Sequence, residues 1–68
     1  MNTYTWYAVK DNKTGKFYNL STFRRNGPDA IDFHPICLVP YAHMANTISK
    51  ELAEENVPTT IVEVTITF

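Results

Sequence analysis

The chain has 68 residues, a formal net charge of −1 and a hydrophobic fraction of 44%, which favours a folded domain over a disordered chain. A chain this short buries only about 60% of its unfolded surface, so we expect one domain of marginal stability over residues 1–68. No apolar run approaches the roughly 20 residues that span a membrane. Cys37 is the only cysteine and residues 1–10 lack a signal-peptide pattern, which together predict a cytoplasmic protein.

A hairpin over residues 3–23 is the clearest local signal. Two runs rich in aromatic and β-branched residues flank the turn cluster Asn12–Gly15. A type I turn with Gly15 in the left-handed region would place Asn12 opposite Lys16 and would set the register of the hairpin.

This register sorts the side chains of the hairpin into two faces, because side chains alternate along a strand. The face predicted to pack under a helix contains Tyr4, Trp6, Ala8, Tyr18 and Leu20. The face predicted to remain open contains Thr5, Tyr7, Val9, Phe17, Ser21 and Phe23.

Residues 24–39 are predicted to form a long loop. The polar cluster Arg24–Asp29 ends the hairpin. The apolar stretch Phe33–Val39 contains Pro35 and is followed by Pro40, which excludes a helix interior or a central strand. Its apolar side chains would either cover an end of the core or form part of a binding surface, since loops of this length often carry function.

A helix is predicted over residues 40–56 and a final strand over residues 59–68. Pro40 suits the first helical position, and Asn56 and Pro58 end the helix. Helical spacing is shown by Tyr41, Met44, Ala45, Ile48 and Leu52. Strand alternation is shown by Val62, Val64, Ile66 and Phe68, which are predicted to pack under the helix.

These elements predict an α+β fold of order β-β-α-β, in which one helix packs on one face of a three-stranded, mainly antiparallel sheet. Strand order 2-1-3 is preferred because it places the aromatic strand with Trp6 in the middle. Order 1-2-3, with a parallel pair, is the alternative.

One cluster combines metal-ligating and nucleophilic residue types: Asp32, His34, Cys37 and His43. It contains no second cysteine, and its spacing does not match a four-ligand zinc set. A Cys37–His43 nucleophile pair would need an oxyanion hole and a cleft, for which this chain has little room. With only Gly15 and Gly27, no glycine-rich phosphate loop is present. We therefore expect a protein with no catalytic residues, no metal and no cofactor, and hence a non-enzymatic one.

Protein binding is the preferred function. An open aromatic face and an apolar loop would expose more hydrophobic surface than one helix can cover, and such patches mark partner or self-association sites. A homodimer through the sheet face or an edge strand would also relieve the marginal core. The predicted anchor residues are Tyr7, Phe17, Phe23, Phe33, Ile36 and Leu38.

Binding of single-stranded nucleic acid is the alternative. Lys13 and Lys16 at the hairpin tip would hold phosphates, and bases would stack on the open face. Charge distribution weakens this hypothesis, because Arg24 and Arg25 lie more than roughly 20 Å from the tip, and residues 26–68 carry six carboxylates against a single lysine. The stacking residues would be Tyr7, Phe17 and Phe23.

The stretch Trp-Tyr-Ala-Val-Lys-Asp-Asn-Lys-Thr-Gly-Lys-Phe-Tyr, residues 6–18, resembles the start of short uncharacterised proteins encoded by bacteriophages and prophages of Gram-positive bacteria. Those proteins continue with an aromatic second strand, a helix and a β-branched last strand, which the run Val62–Ile66 matches. The resemblance implies a small accessory protein that acts by binding rather than by catalysis. It assigns no functional residues.

Overall fold

The computed structural model describes residues 2–68. One long helix packs on one face of an antiparallel sheet, so the predicted α+β class is confirmed. One of two shorter helical turns lies between the second and third strands, and the other lies between the third strand and the long helix. In chain order the elements are β1 (Thr3–Asp11), β2 (Phe17–Tyr18), α1 (Phe23–Asn26), β3 (Ala30–Ile31), a 3₁₀ turn (Pro35–Cys37), α2 (Ala42–Glu54) and β4 (Thr59–Thr67).

Within residues 2–68 the sheet has four strands in the order β3-β2-β1-β4, so the prediction of three strands was wrong. The additional strand, β3, is only two residues long and lies inside the segment predicted as loop. Strand β2 is equally short. The side chain of Asn19 accepts hydrogen bonds from both the N–H and the hydroxyl of Ser21, which turns the chain away from the sheet.

Strand β4 pairs with β1 along its whole length. Nine residue pairs run without interruption from Thr3 opposite Thr67 to Asp11 opposite Thr59. The last strand therefore lies beside the first, as strand order 2-1-3 predicts, and the alternative with a parallel pair is wrong.

The hairpin register differs by one residue from the prediction, because Lys10 pairs with Phe17 rather than with Tyr18. The carboxylate of Asp11 accepts the N–H of Lys13 at 2.8 Å, and the Asp11 carbonyl accepts the N–H of Gly15 at 2.8 Å. The turn therefore begins at Asp11 instead of Asn12, as in an Asx turn. Gly15 has a φ of 76°, the left-handed conformation that was predicted for it.

A shift of one residue exchanges the two faces of a strand. Tyr7 and Val9, predicted to be open, pack in the core beneath α2. Tyr4 and Trp6, predicted to lie in the core, are on the opposite face. Tyr18 and Leu20 of the second hairpin arm are buried as predicted.

The same exchange applies to β4. Ile61, opposite Val9, packs against the core, and Thr59 hydrogen-bonds Ser49 of the helix. The alternating residues predicted to lie under the helix therefore point away from it, and that prediction was wrong. Those residues are Val62, Val64, Ile66 and Phe68.

The core lies between α2 and the face of the sheet that carries Val9 and Tyr18. Val39 joins this core because it is held beside β1 by two backbone hydrogen bonds to Tyr7, at 2.8 and 2.9 Å. The buried residues of the cluster are Val9, Tyr18, Leu20, Val39, Ala45, Ile48 and Leu52.

Helix α2 is shorter than predicted at both ends. The bridge at Val39 keeps the following residues extended, so Tyr41 is the N-cap and Pro40 lies outside the helix. At the other end Asn56 adopts a φ of 63°, and the N–H of Val57 donates to the carbonyl of Leu52 at 2.9 Å. This is the Schellman pattern, and it confirms that Asn56 ends the helix. No helix within residues 2–68 is both long and apolar enough to cross a membrane.

Candidate interaction surface

The pair of strands β1 and β4 forms a long ribbon of which α2 covers one end on one face. At the covered end Val9 and Ile61 are packed in the core. At the other end the helix-facing side chains of Thr5, Thr65 and Thr67 are exposed. The ribbon therefore extends beyond the helix, and the molecule is elongated, measuring 41 × 22 × 22 Å.

The face of the ribbon that points away from α2 is apolar. Alternation from the observed register places the even-numbered side chains of both strands there. Ala8 is fully buried, but its neighbours towards the end of the ribbon are not. We call this surface the ribbon face, and it consists of Tyr4, Trp6, Val62, Val64, Ile66 and Phe68.

Tyr4 and Phe68 are the most exposed members of the ribbon face, at 58% and 64% of their full accessibility. Their rings stack on each other, with centroids 5.3 Å apart and planes inclined by 19°. Aromatic side chains have areas of about 150–250 Å², so these two expose roughly 200–300 Å² between them. Trp6 and the three aliphatic members are half-buried.

The 33–38 segment lies on the same side of the sheet, next to β2. Phe17, which shares a face with Lys10, contacts Phe33 edge-to-face at a centroid distance of 5.1 Å. The thiol of Cys37 is fully buried, 4.0 Å from the carbonyl of Phe17. Phe33 and Ile36 remain exposed. The loop thus covers part of the sheet and adds apolar surface of its own.

The six residues predicted as partner anchors are divided between core and surface. Tyr7 and Phe23 pack against the core beneath α2, so they do not lie on an open face. Phe17 and Leu38 are half-buried on the loop side. Phe33 and Ile36 are exposed.

Sequence reasoning missed the ribbon face, because it assigned that surface to the core. The signal that could have found it is the Asp11-x-Lys13 spacing. The carboxylate of an Asp can accept the backbone N–H two residues later and so start a turn at the Asp itself. Here the turn then begins at Asp11 rather than Asn12, which changes the register of the hairpin by one residue.

The basic residues lie on different elements, with Lys13 and Lys16 in the turn between β1 and β2 and Arg24 in α1. Lys13 and Lys16 are exposed at the hairpin turn. Arg24 forms a 2.7 Å ion pair with Glu51 of α2, and both side chains are substantially exposed, so the pair contributes little stability.

The histidines and the cysteine have separate structural roles. His34 Nδ1 accepts the N–H of Ile36 at 3.1 Å and caps the 3₁₀ turn. His43 packs beside Tyr41 at the start of α2. Within residues 2–68 no three side chains of His, Cys, Asp or Glu come together as metal ligands. The zinc hypothesis for His34, Cys37 and His43 therefore gains no support from the geometry.

Comparisons with family models, with curated proteins and with solved structures found no match to this chain. Its function is therefore inferred from the surface itself.

Proposed function

We propose that this chain is a small non-enzymatic accessory protein that acts by binding another protein through the ribbon face. The observation that carries the proposal is the apolar face of the β1–β4 ribbon, which α2 leaves uncovered. Contiguous exposed apolar patches on small domains mark interaction sites. On the resemblance of its hairpin, we also propose that it derives from a phage and works in the cytoplasm of a bacterial host.

The composition of the ribbon face supports this role. Tyr and Trp are enriched among the residues that dominate binding energy at interfaces, and Tyr4 and Trp6 both lie here. No Lys, Arg, Asp or Glu belongs to the face, whereas Lys10 borders it on the same side of β1, diagonal to Val62. An apolar centre with a charged rim is the usual arrangement of a protein–protein interface.

The structure offers less support for nucleic-acid binding. The aromatic residues named for base stacking are Tyr7 and Phe23, which pack against the core, and Phe17, which packs against Phe33. Lys13 and Lys16 remain exposed, but Tyr7, Phe17 and Phe23 do not form the open aromatic face on which bases were predicted to stack. Fluorescence anisotropy with labelled single-stranded oligonucleotides at two salt concentrations tests this alternative. Salt-sensitive binding that is lost in Phe17→Ala would favour it over protein binding.

The proposal is tested by changing the two most exposed residues of the ribbon face. Tagged protein captures partners from a Gram-positive bacterial extract, and each captured protein is then purified and titrated calorimetrically. The double variant Tyr4→Ser/Phe68→Ser should weaken binding about thirtyfold, as expected for loss of interface hot spots. Wild-type binding should also show a negative heat-capacity change, because apolar surface is buried.

The matched control changes the opposite face at the same end of the ribbon. Thr5→Ser/Thr67→Ser alters two exposed hydroxyl residues that point to the helix side, and it should bind as tightly as the wild type. Equal affinity for both double variants would refute the role of the ribbon face. Failure of the wild type to bind any purified candidate would refute the proposed function.

A further inference from the structure

Strand β4 is an unprotected edge of the sheet. It has nine residues, pairs with β1 without a bulge, and has no neighbouring strand on its outer side within residues 2–68. Glu63 is its one charged residue, and it contains neither lysine nor proline. Folded proteins usually shorten, charge or bend such edges because they pair readily with another strand. The opposite edge, β3, is protected by being only two residues long.

The hydrogen bonds at the end of the ribbon show which backbone groups face outward. Asn2 and Phe68 exchange two backbone hydrogen bonds, at 2.7 and 2.9 Å. In an antiparallel ladder such pairs alternate with pairs whose N–H and C=O groups point away. Even-numbered residues of β4 therefore bond to β1. The outward groups belong to Thr59, Ile61, Glu63, Thr65 and Thr67.

We propose that two copies of this chain pair through β4 in antiparallel orientation, forming one continuous sheet. A two-fold axis perpendicular to the sheet passes through one position of β4, and the residue at that position pairs with the same residue of the second copy. An axis at Glu63 would bring two carboxylates face to face, which is unfavourable. An axis at Val64 instead places Glu63 opposite Thr65 of the second copy, and Val62 opposite Ile66.

The axis at Val64 satisfies both charge and pattern. Each Glu63 lies opposite the hydroxyl of Thr65, and within residues 62–66 every apolar residue lies opposite another apolar residue. An axis at Val62 would instead place Val64 opposite Thr60. Self-complementarity of this kind is what a two-fold interface requires, and it favours a second copy over an unrelated strand.

The position of α2 leaves room for this pairing. The helix is anchored at the Thr59 end of β4, where Ser49 bonds to Thr59, and it leaves Glu63, Thr65 and Thr67 exposed. In the proposed register the two helices lie at opposite ends of the paired strands. The dimer also joins the two ribbon faces into one apolar surface, which the proposed partner would meet as a single site.

Sedimentation velocity measures the oligomeric state directly. At about 100 μM the wild type should sediment as a dimer, twice the 7.8 kDa of one chain. Thr65→Pro removes an outward N–H from an edge strand, where proline is tolerated, and should give a folded monomer by circular dichroism. Thr65→Val keeps the N–H and should remain dimeric. A monomeric wild type, or a dimeric proline variant, would overturn the proposal.

Cysteine cross-linking tests the register. Val64→Cys places two thiols in a non-hydrogen-bonded pair across the axis, where the Cα separation of about 4.5 Å suits a disulfide. It should form a covalent dimer on mild oxidation, while Val62→Cys should not. The wild type controls for Cys37, which is fully buried. Equal cross-linking of both variants would reject the axis at Val64.

Charge substitutions provide a second test of the register. Thr65→Glu would meet Glu63 of the second copy twice and should weaken dimerisation about tenfold, whereas Thr65→Lys should strengthen it. Thr67→Glu and Thr67→Lys meet Ile61 and should differ little from each other. If the Glu and Lys variants differed in dimer affinity as much at position 67 as at position 65, the pairing of Glu63 with Thr65 would be contradicted.

The proposed dimer and the proposed partner binding can be rejected independently of each other. The substitutions at Thr65 change the edge strand without altering the ribbon face, and Tyr4→Ser/Phe68→Ser changes the ribbon face without altering the outward backbone groups. A dimeric wild type that binds no partner would reject only the proposed function. A monomer that binds a partner through the ribbon face would reject only the dimer.

Discussion

Asp11 holds the first hairpin in register through both its backbone and its side chain. Its carboxylate accepts the N–H of Lys13 at 2.8 Å and the hydroxyl of Tyr18 at 3.1 Å. The backbone N–H of Asp11 donates to the carbonyl of Lys16 at 2.8 Å. These contacts lock the start of the turn, and with it the face on which each side chain of β1 lies.

The acid stability of the protein should depend on Asp11. The Lys13 N–H, followed by the Tyr18 hydroxyl, lowers the pKa of this carboxyl below its ordinary value of 3.8, although burial opposes them in part. A pKa that is lower in the folded state contributes stability above the unfolded value, and this contribution is lost as the pH falls through the folded pKa. Thermal unfolding between about pH 5 and pH 2 should therefore show a smaller drop in Tm for Asp11→Asn than for the wild type.

Asp32→Asn is the control for this measurement, because it removes an exposed carboxylate outside the turn. It should lose Tm with falling pH as the wild type does. Identical pH profiles for the wild type and Asp11→Asn would show that the Asp11 charge does not stabilise the turn.

Tyr18 should give the protein a sensitivity to alkaline pH. Burial, assisted by the hydrogen bond to Asp11, raises the pKa of the Tyr18 hydroxyl above its ordinary value of 10.0. The folded state therefore holds this proton more tightly, and stability falls as the pH rises above about 10. Urea unfolding of Tyr18→Phe should show a loss of about 1 kcal/mol at neutral pH and a weaker alkaline decline. An alkaline decline as steep as that of the wild type would exclude Tyr18 as its source.

The elements of the fold are ended by specific local interactions. Helix α2 stops in a Schellman motif, with Asn56 in the left-handed region and Val57 packed against the core. At its start, no side chain caps the helix, and the Val39 bridge to β1 fixes where the first turn begins. The C-terminal end is therefore determined locally and the N-terminal end by a tertiary contact.

Substitution of Asn56 tests the helix end. Asn56→Ala forces a side chain that disfavours positive φ into the left-handed region and should cost about 1–2 kcal/mol of unfolding free energy in urea titrations. Asn56→Gly tolerates the same conformation and should lie within about 0.5 kcal/mol of the wild type. Equal losses for both variants would mean that the amide side chain, rather than the backbone conformation, is the stabilising feature.

The accessible surface area of the molecule is larger than expected for a monomer of its mass. Its accessible surface is 4665 Å², against about 4,400 Å² expected for a monomer of this mass. The excess is consistent with the uncovered end of the β1–β4 ribbon, where one face is apolar and the other carries exposed threonines. Stability should therefore decline along the ribbon from the helix-covered end to the open end.

Amide hydrogen exchange tests that gradient. Val62 and Ile66 both donate to β1, but Val62 lies opposite the fully buried Ala8 and Ile66 opposite the exposed Tyr4. The Val62 amide should exchange at least about tenfold more slowly than the Ile66 amide, because the end of the ribbon that contains Val62 is packed on both faces. Uniform protection of the two amides would show that the ribbon opens as one unit.

Local patterns predicted most of the architecture. Helical spacing located α2, alternation located β4, and the aromatic run located β1. The order of these strands followed because the aromatic β1 suits the centre of the sheet. The two-residue strand β3 was missed, since a pair of residues carries no periodicity.

The local patterns of the sequence by themselves determined an α+β chain, a glycine turn at Gly15 and a helix ended by Asn56. Each depends on interactions within a few residues. Only the tertiary structure decided which face of β1 and β4 lies under the helix. Alternation defines two faces but does not say which is covered, and α2 packs on the face that carries Val9 and Tyr18. This packing places Tyr7 against the core and leaves Tyr4 and Trp6 on the surface from which the function is proposed.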